Sequence, residues 1–241
     1  MMIESFDIVP VDNVYLYVSK ANNPTQWRWW KLDLPGYYLN AYNHRIEVKL
    51  KNYANEGGDF AVNTKIRDLP TDKTILSMCH DWGNDGYLYD YVTFYSTSGS
   101  EYYSARSRTH KNSYTHFGES RIAYFDTSIS TLPKANLSDW GSITTTTGNL
   151  TTFNNGMSAA NGLFVYPQLM LQLWTANQNA YTYRMQQIKY INGGTVCANL
   201  IAAKQKSTGK YGLYETNSGL FFDSVVSNDG TFANLNFLGQ N

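Results

Sequence analysis

The sequence predicts an all-β fold, a two-sheet antiparallel sandwich of jelly-roll type with little helix. Three observations carry the all-β, two-layer part of that expectation. Alternation with period two recurs from end to end, Asn-Gly and Asp-Gly turn signals recur at hairpin spacing, and no window carries a capped amphipathic helix. Stacking two sheets is the simplest way for so many strands to bury their inner faces. At 241 residues the chain is long enough for one large core, and its 42% apolar and 16% charged residues suit strands and turns.

The clearest strand is RIEVKLK, where Ile46, Val48 and Leu50 alternate with Arg45, Glu47, Lys49 and Lys51, leaving one wet face. In GYLYDYVTFYS, Tyr87, Tyr89, Tyr91 and Tyr95 fall on one face, while Leu88, Val92 and Phe94 share the other with Asp90. SRIAYFD from Ser120, LFVYPQLMLQLW from Leu163, YTYRMQQIKYI from Tyr181 and TVCANLIAA from Thr195 follow. The second of these is one long strand or two short ones broken at Pro167. Turns are expected at Asn84-Asp85-Gly86, Asn155-Gly156, Asn161-Gly162, Asn192-Gly193-Gly194 and Asp229-Gly230. The Ser/Thr/Asn-rich stretch from Ser138 to Asn161 reads as exposed strands with long turns, interleaved with Ile143, Leu150 and Phe153. NLSDWG, near Asn136, has room for one short helical turn.

The run from Gln187 to Phe232 reads as a strand, an Asn-Gly-Gly turn, a strand, a polar loop and a tight hairpin closed by Asn217-Ser218-Gly219. It resembles the last portion of the concanavalin A-like (laminin-G-like) sandwich domain of phage and prophage virion proteins. That portion reads roughly I-K-I-Y, N-G, V, L-I-P-A, then G-L-Y-D, N-G-x-F-Y and G-T-G-x-F. The matching residues are Ile188-Lys189-Tyr190, Asn192-Gly193, Val196, Leu200-Ile201-Ala202-Ala203, Gly212-Leu213-Tyr214-Glu215, Asn217 to Phe222 and Asp229-Gly230-Thr231-Phe232. Upstream the likeness is looser, taking in Tyr37-Tyr38-Leu39-Asn40, Arg121 to Asp126 and Leu169 to Trp174. Ala202 stands where the family has Pro, Glu215 where it has Asp, and Phe222 where it has Tyr. The resemblance implies a sandwich over residues 36–241 whose core the terminal hairpin closes, with Leu213 and Phe221 facing inward.

Nineteen basic residues balance nineteen acidic ones without a Lys/Arg cluster, which argues against a nucleic-acid partner. Cys79 and Cys197 lack C-x-x-C spacing and read as buried thiols. The opening MMIESFDIVP has no signal-peptide pattern, and no run approaches the length of a membrane span, so neither a leader nor a membrane partner is expected.

Glycan hydrolysis by a retaining mechanism needs two carboxylates about 5 Å apart. The glutamates Glu4, Glu47, Glu56, Glu101, Glu119 and Glu215 are scattered singly, with no E-x-D-x-E strand, so no catalytic residue is assigned and no enzyme is expected. CHDWGNDG offers Asp81, Asn84 and Asp85 as weak Ca²⁺ ligands, but it lacks an EF-hand pattern and reads first as a hairpin turn. His44, His80, His110 and His116 have no metal-binding spacing and read as solvated or capped imidazoles, and no metal or cofactor is expected.

Aromatic residues are the more informative class. Tyr87, Tyr89, Tyr91 and Tyr95, followed by Tyr102 and Tyr103, form either a glycan platform or the plain cover of a wet sheet face. TQWRWWKLDLPG puts three tryptophans in four positions, and Trp and Arg dominate interface energetics. Trp27, Arg28, Trp29 and Trp30 are therefore candidates for docking on a neighbouring virion protein, with residues 1–35 as an N-terminal arm or edge extension, or else as a flap over the chain's own core. With the resemblance, this implies an accessory virion subunit, assembled in the host cytoplasm, such as a capsid decoration, head fibre or tail-associated protein. Its expected partners are capsid, portal or tail subunits, copies of itself, and host-surface or mucosal glycans. A lectin or glycoside hydrolase of the same fold is the alternative.

Overall fold

The computed structural model describes residues 5–19, 28–51, 59–66, 73–82, 87–95, 97, 101–110, 120–126, 134–136, 143–173, 180–227 and 233–239. In chain order the strands begin β1 (Ile8–Pro10), β2 (Val14–Ser19), β3 (Arg28–Asp33), β4 (Tyr37–Tyr38), β5 (His44–Lys51), β6 (Asp59–Ile66) and β7 (Lys73–Trp82). Next come β8 (Tyr87–Tyr95), β9 (Glu101–His110), β10 (Ser120–Asp126), β11 (Lys134–Asn136), β12 (Ile143–Gly148) and the helix α1 (Leu150–Ala160). The chain continues through β13 (Phe164–Leu173), β14 (Ala180–Asn192), β15 (Thr195–Gln205), β16 (Tyr211–Glu215), β17 (Leu220–Phe222), β18 (Ser224–Ser227) and β19 (Leu235–Leu238).

These strands form the expected antiparallel, two-layered sandwich. The first sheet runs β11-β10-β5-β14-β15-β16-β17. The second runs β12-β9-β8-β7-β6-β13-β3-β18, with β4 beside the start of β13. They are joined at one corner, where β18 pairs with β19 and β19 with β2. The core between them includes Trp30, Leu32, Val62, Leu76, Phe94, Leu169 and Leu171 from the second sheet and Ile46, Val48, Ile188, Leu200 and Leu213 from the first.

The described part of the first 35 residues is woven into both sheets rather than set apart as an arm. β14 and β15 pair only as far as Gln187 and Ile201, and the fork beyond is filled by β2 against β14 and β1 against β15. Val11 N–H donates to Ala202 O at 2.9 Å inside the fork. Pro167 lies within one continuous β13. Its carbonyl accepts from Leu34 N–H at 3.0 Å, so its missing donor falls where the chain passes from β3 to β4 and no ladder needs it.

Two expectations are corrected here. The Ser138–Asn161 stretch holds β12 but then α1, so Asn155-Gly156 is helical and not a hairpin turn. Asn149 caps α1 by accepting from Thr152 N–H at 2.8 Å, while Phe153, Gly156, Met157 and Ala160 are buried at helical spacing. Phe153 meets Phe94 edge-to-face, ring centroids 5.1 Å apart. In the terminal hairpin, Phe222 takes the place expected of Phe221. The four-residue turn sets Glu215 opposite Leu220 and hence Leu213 opposite Phe222, so parity sends Phe222 to the core side. Gly219, at φ 71°, supplies the turn's left-handed residue.

His44, read from the sequence as a solvated or capped imidazole, is fully buried and capped. The Tyr37 hydroxyl lies 2.7 Å from its Nε2, and its ring meets Tyr190 edge-to-face. Tyr190 donates its hydroxyl across the core to Asn63 O at 3.1 Å, and Cys197, half-buried, donates its thiol to Tyr190 O. Burial drives the His44 pKa down to about 3, pushes the Cys197 thiol up to about 11 and raises both tyrosines. A histidine held neutral in the fold contributes stability that is complete above its unfolded pKa and lost as pH falls toward its folded one. From pH 6.5 to 5.5 the wild type should therefore lose about 1 kcal/mol more than His44→Gln in urea unfolding. Equal losses would show that His44 protonates freely in the fold.

Candidate functional site

The outer face of the second sheet follows from alternation along β13. Val165, Leu169 and Leu171 belong to the core, so Phe164, Tyr166, Gln168 and Met170 fall on the opposite face. Residues paired across an antiparallel ladder share a face, and the registers extend this one across the sheet. One row reads Asp33, Gln168, Asn63, Ser77, Thr93, Ser104 and Thr147, polar from edge to edge. The next reads Val226, Lys31, Met170, Ala61, Cys79, Tyr91, Arg106 and Thr145. Beyond it Asp81, Tyr89 and Arg108 stand in register, and then Tyr87 and His110.

The floor of this face is built, not solvated at random. Gln168 is 2% exposed and donates from Nε2 to Asp33 Oδ1 at 2.7 Å, which fixes its amide orientation. Its buried Oε1 makes no hydrogen bond among the described residues. Asp33 also pairs with Lys31 at 3.4 Å. At the β3 edge a groove of about 470 Å³ is lined by Lys31, Asp33, Phe221, Asp223, Ser224 and Val226, among others. Asp223 is held there by the Lys210 ammonium.

The residues singled out from the sequence are divided by this geometry. Tyr87, Tyr89 and Tyr91 are paired in the β8–β9 register with His110, Arg108 and Arg106, and Tyr95 is half-buried. Tyr103 does not join them, because it pairs with buried Phe94 in a core-side row, and Tyr102 lies at the bulge between them. Asp81 stands opposite Tyr89, while Asn84 and Asp85 lie outside the described residues. Among the described residues no three His, Cys, Asp or Glu side chains gather where a metal ion could be held. Trp27 lies outside the described residues, and Arg28 and Trp29 are β3 positions opposite Leu173 and Gln172. Trp30 is 1% exposed and belongs to the core, so it is unavailable for docking.

No protein-family model and no curated protein sequence matches this chain. Among solved structures it is similar to the CBM2 module of the evolved Dit of Lactobacillus casei BL23 phage J-1. The TM-score is 0.47, with 12% identity over 73% of this chain and 74% of that one. It is also similar to LamA of Zobellia galactanivorans, as a variant in complex with laminaritriose and laminaritetraose and as LamAcat. Each has a TM-score of 0.40 and 12% identity, over 66% of this chain and 68% or 67% of the other. At these scores none of the three bears on what the chain does.

Reasoning from sequence missed Gln168, Asn63, Asp33, Arg106 and Arg108 as members of one surface. They are spread over four strands, β3, β6, β13 and β9, the last carrying both arginines, with no local motif. Only the pairing order β3-β13-β6-β7-β8-β9, in which β13 is inserted between β3 and β6 from far along the chain, brings them into one sheet.

Proposed function

We propose that this chain is a phage virion accessory subunit that works by binding rather than by catalysis, and that the outer face of its second sheet captures glycans. The observation that carries the reading is the uninterrupted polar row from Asp33 to Thr147, followed on one side by a row bearing Tyr91 opposite Arg106 and then one bearing Tyr89 opposite Arg108. Sugars are bound by laying C–H faces on rings while hydroxyl and guanidinium groups take the hydroxyls, and this face has both residue classes in successive rows. Attachment to capsid, portal or tail proteins would then use another surface, by buried area and shape complementarity. The resemblance of the Gln187–Phe232 run to phage virion sandwiches supports the virion setting.

Quantitative mass spectrometry of purified particles tests the virion part. The chain is expected at a fixed copy number per particle, and its absence from particles made by a host that expresses it would remove the proposal. A reducing-sugar assay on bacterial and algal polysaccharides tests the mode of action. Sustained release of reducing ends would replace a binder with a hydrolase.

A further inference from the structure

Another part of the second sheet's outer face, beyond the rows just described, has the composition of a sugar subsite. Tyr38 is 72% exposed and Phe164 43% exposed, and their rings meet edge-to-face with centroids 5.3 Å apart, forming a fixed corner. The corner is rigid from below. A Cβ on Gly36 would lie 2.7 Å from the Phe164 ring, so the ring packs directly on glycine backbone.

Three loops are stitched together beside it by asparagine side chains. Asn192 Oδ1 accepts from Asn40 N–H at 2.5 Å and its Nδ2 donates to Tyr38 O at 2.8 Å. Asn161 Oδ1 accepts from Ala41 N–H, and Asn40 Oδ1 from Tyr42 N–H. Backbone bonds from Gly162 to Leu39 and from Gly193 to Asn43 complete the knot. This use of the carbonyl oxygens leaves the amide nitrogens of Asn40 and Asn161 with no hydrogen bond among the described residues, and Asn43 is exposed beside them.

The geometry points to this loop cluster as a subsite for a neutral saccharide, with Tyr38 and Phe164 receiving a sugar's C–H face and Asn40, Asn43 and Asn161 its oxygens. This rests on the glycan-binding reading above and extends it to a separate place. None of these residues is charged, so an acidic sugar would find no counter-ion among them. The locked loops keep the ordering cost of binding low. Exposed amides and aromatic faces are also what a saccharide ring, apolar on its faces and polar at its rim, requires.

Titration of the ¹⁵N-labelled chain with chitotriose, laminaritriose and trigalacturonate, followed by ¹H–¹⁵N NMR, tests this. At least one neutral trisaccharide should shift the backbone signals of Tyr38 to Asn43 and the side-chain amides of Asn40 and Asn161, and trigalacturonate should not. Tyr38→Ala and Phe164→Ala should each weaken that binding about tenfold with an unchanged melting temperature. Shifts confined to β8 and β9 would overturn the subsite while sustaining the sheet face as the glycan site. Shifts confined to the loop cluster would do the reverse. No shift with any probe, or a response to trigalacturonate alone, would remove the subsite, the first outcome leaving the cluster as a protein-docking surface if particle assembly covers it.

Discussion

Trp30→Ala should lower the unfolding free energy of the isolated chain by about 3–5 kcal/mol. The ring is 1% exposed on the core side of β3, in register with Leu171, and its Nε1–H donates to Ala233 O at 3.1 Å. Truncation removes the largest fully buried side chain among the described residues and leaves a cavity that Leu32, Leu169 and Leu171, fixed on rigid strands, cannot collapse to fill. It also strands a carbonyl acceptor. Trp30→Phe keeps most of the volume and loses the hydrogen bond, so about 1–2 kcal/mol is expected. Urea unfolding measures both. A loss below about 1 kcal/mol for the alanine variant would mean that Trp30 is a surface residue after all.

Glu215→Ala should cost about 3 kcal/mol. Its carboxylate organises the β16–β17 turn and ties it to β15. Oε1 accepts from Asn199 N–H at 2.9 Å and Asn217 N–H at 3.2 Å, and Oε2 from Ser218 N–H and the Ser218 hydroxyl, both at 2.6 Å. Burial alone would raise its pKa. The Ser218 hydroxyl and the backbone donors of Asn199, Ser218 and Asn217 outweigh burial and hold it below the ordinary value of 4.5. Its contribution is therefore complete above about pH 4.5 and disappears as the pH falls through the lowered folded value. Glu215→Gln should lose about 2 kcal/mol, since its amide nitrogen faces donors. Thermal or urea unfolding at pH 7 and pH 3 checks the account, and the gap between wild type and Glu215→Ala should narrow at the lower pH. A constant gap would assign the loss to packing instead.

Much of the fold was legible because its strands are amphipathic or bounded by glycine turns. RIEVKLK, SRIAYFD and the strand run from Ala180 to Phe222 lie where period-two patterning puts them, and Gly193 and Gly194 turn with φ of 60° and 82°. α1 was hidden by composition. Its Thr, Asn and Ser residues lean toward turns and strands, and the signal that outweighs them is the 3.6-residue spacing of Phe153, Gly156, Met157 and Ala160 behind an Asn149 cap. Parity defeated the finer readings. The hairpin turn decides between Phe221 and Phe222, the register pairs Tyr103 with Phe94 rather than with the tyrosine stripe, and the bulge leaves Tyr102 without a partner opposite Tyr95. Trp30 could not be placed because its strand enters the core through pairing with β13 and β18, far away in sequence. The candidate face was half legible, since its tyrosines are local to β8, whereas its amides and arginines converge only through the ladder.

The outer face of the second sheet is the proposed working surface. A glycan array probed with wild type and with the Tyr91→Ala/Arg106→Ala double variant tests it most directly. The account predicts that the wild type's strongest glycan signals fall at least about tenfold in the double variant while its melting temperature stays within a few degrees. Retention of every wild-type signal by a folded double variant would contradict it.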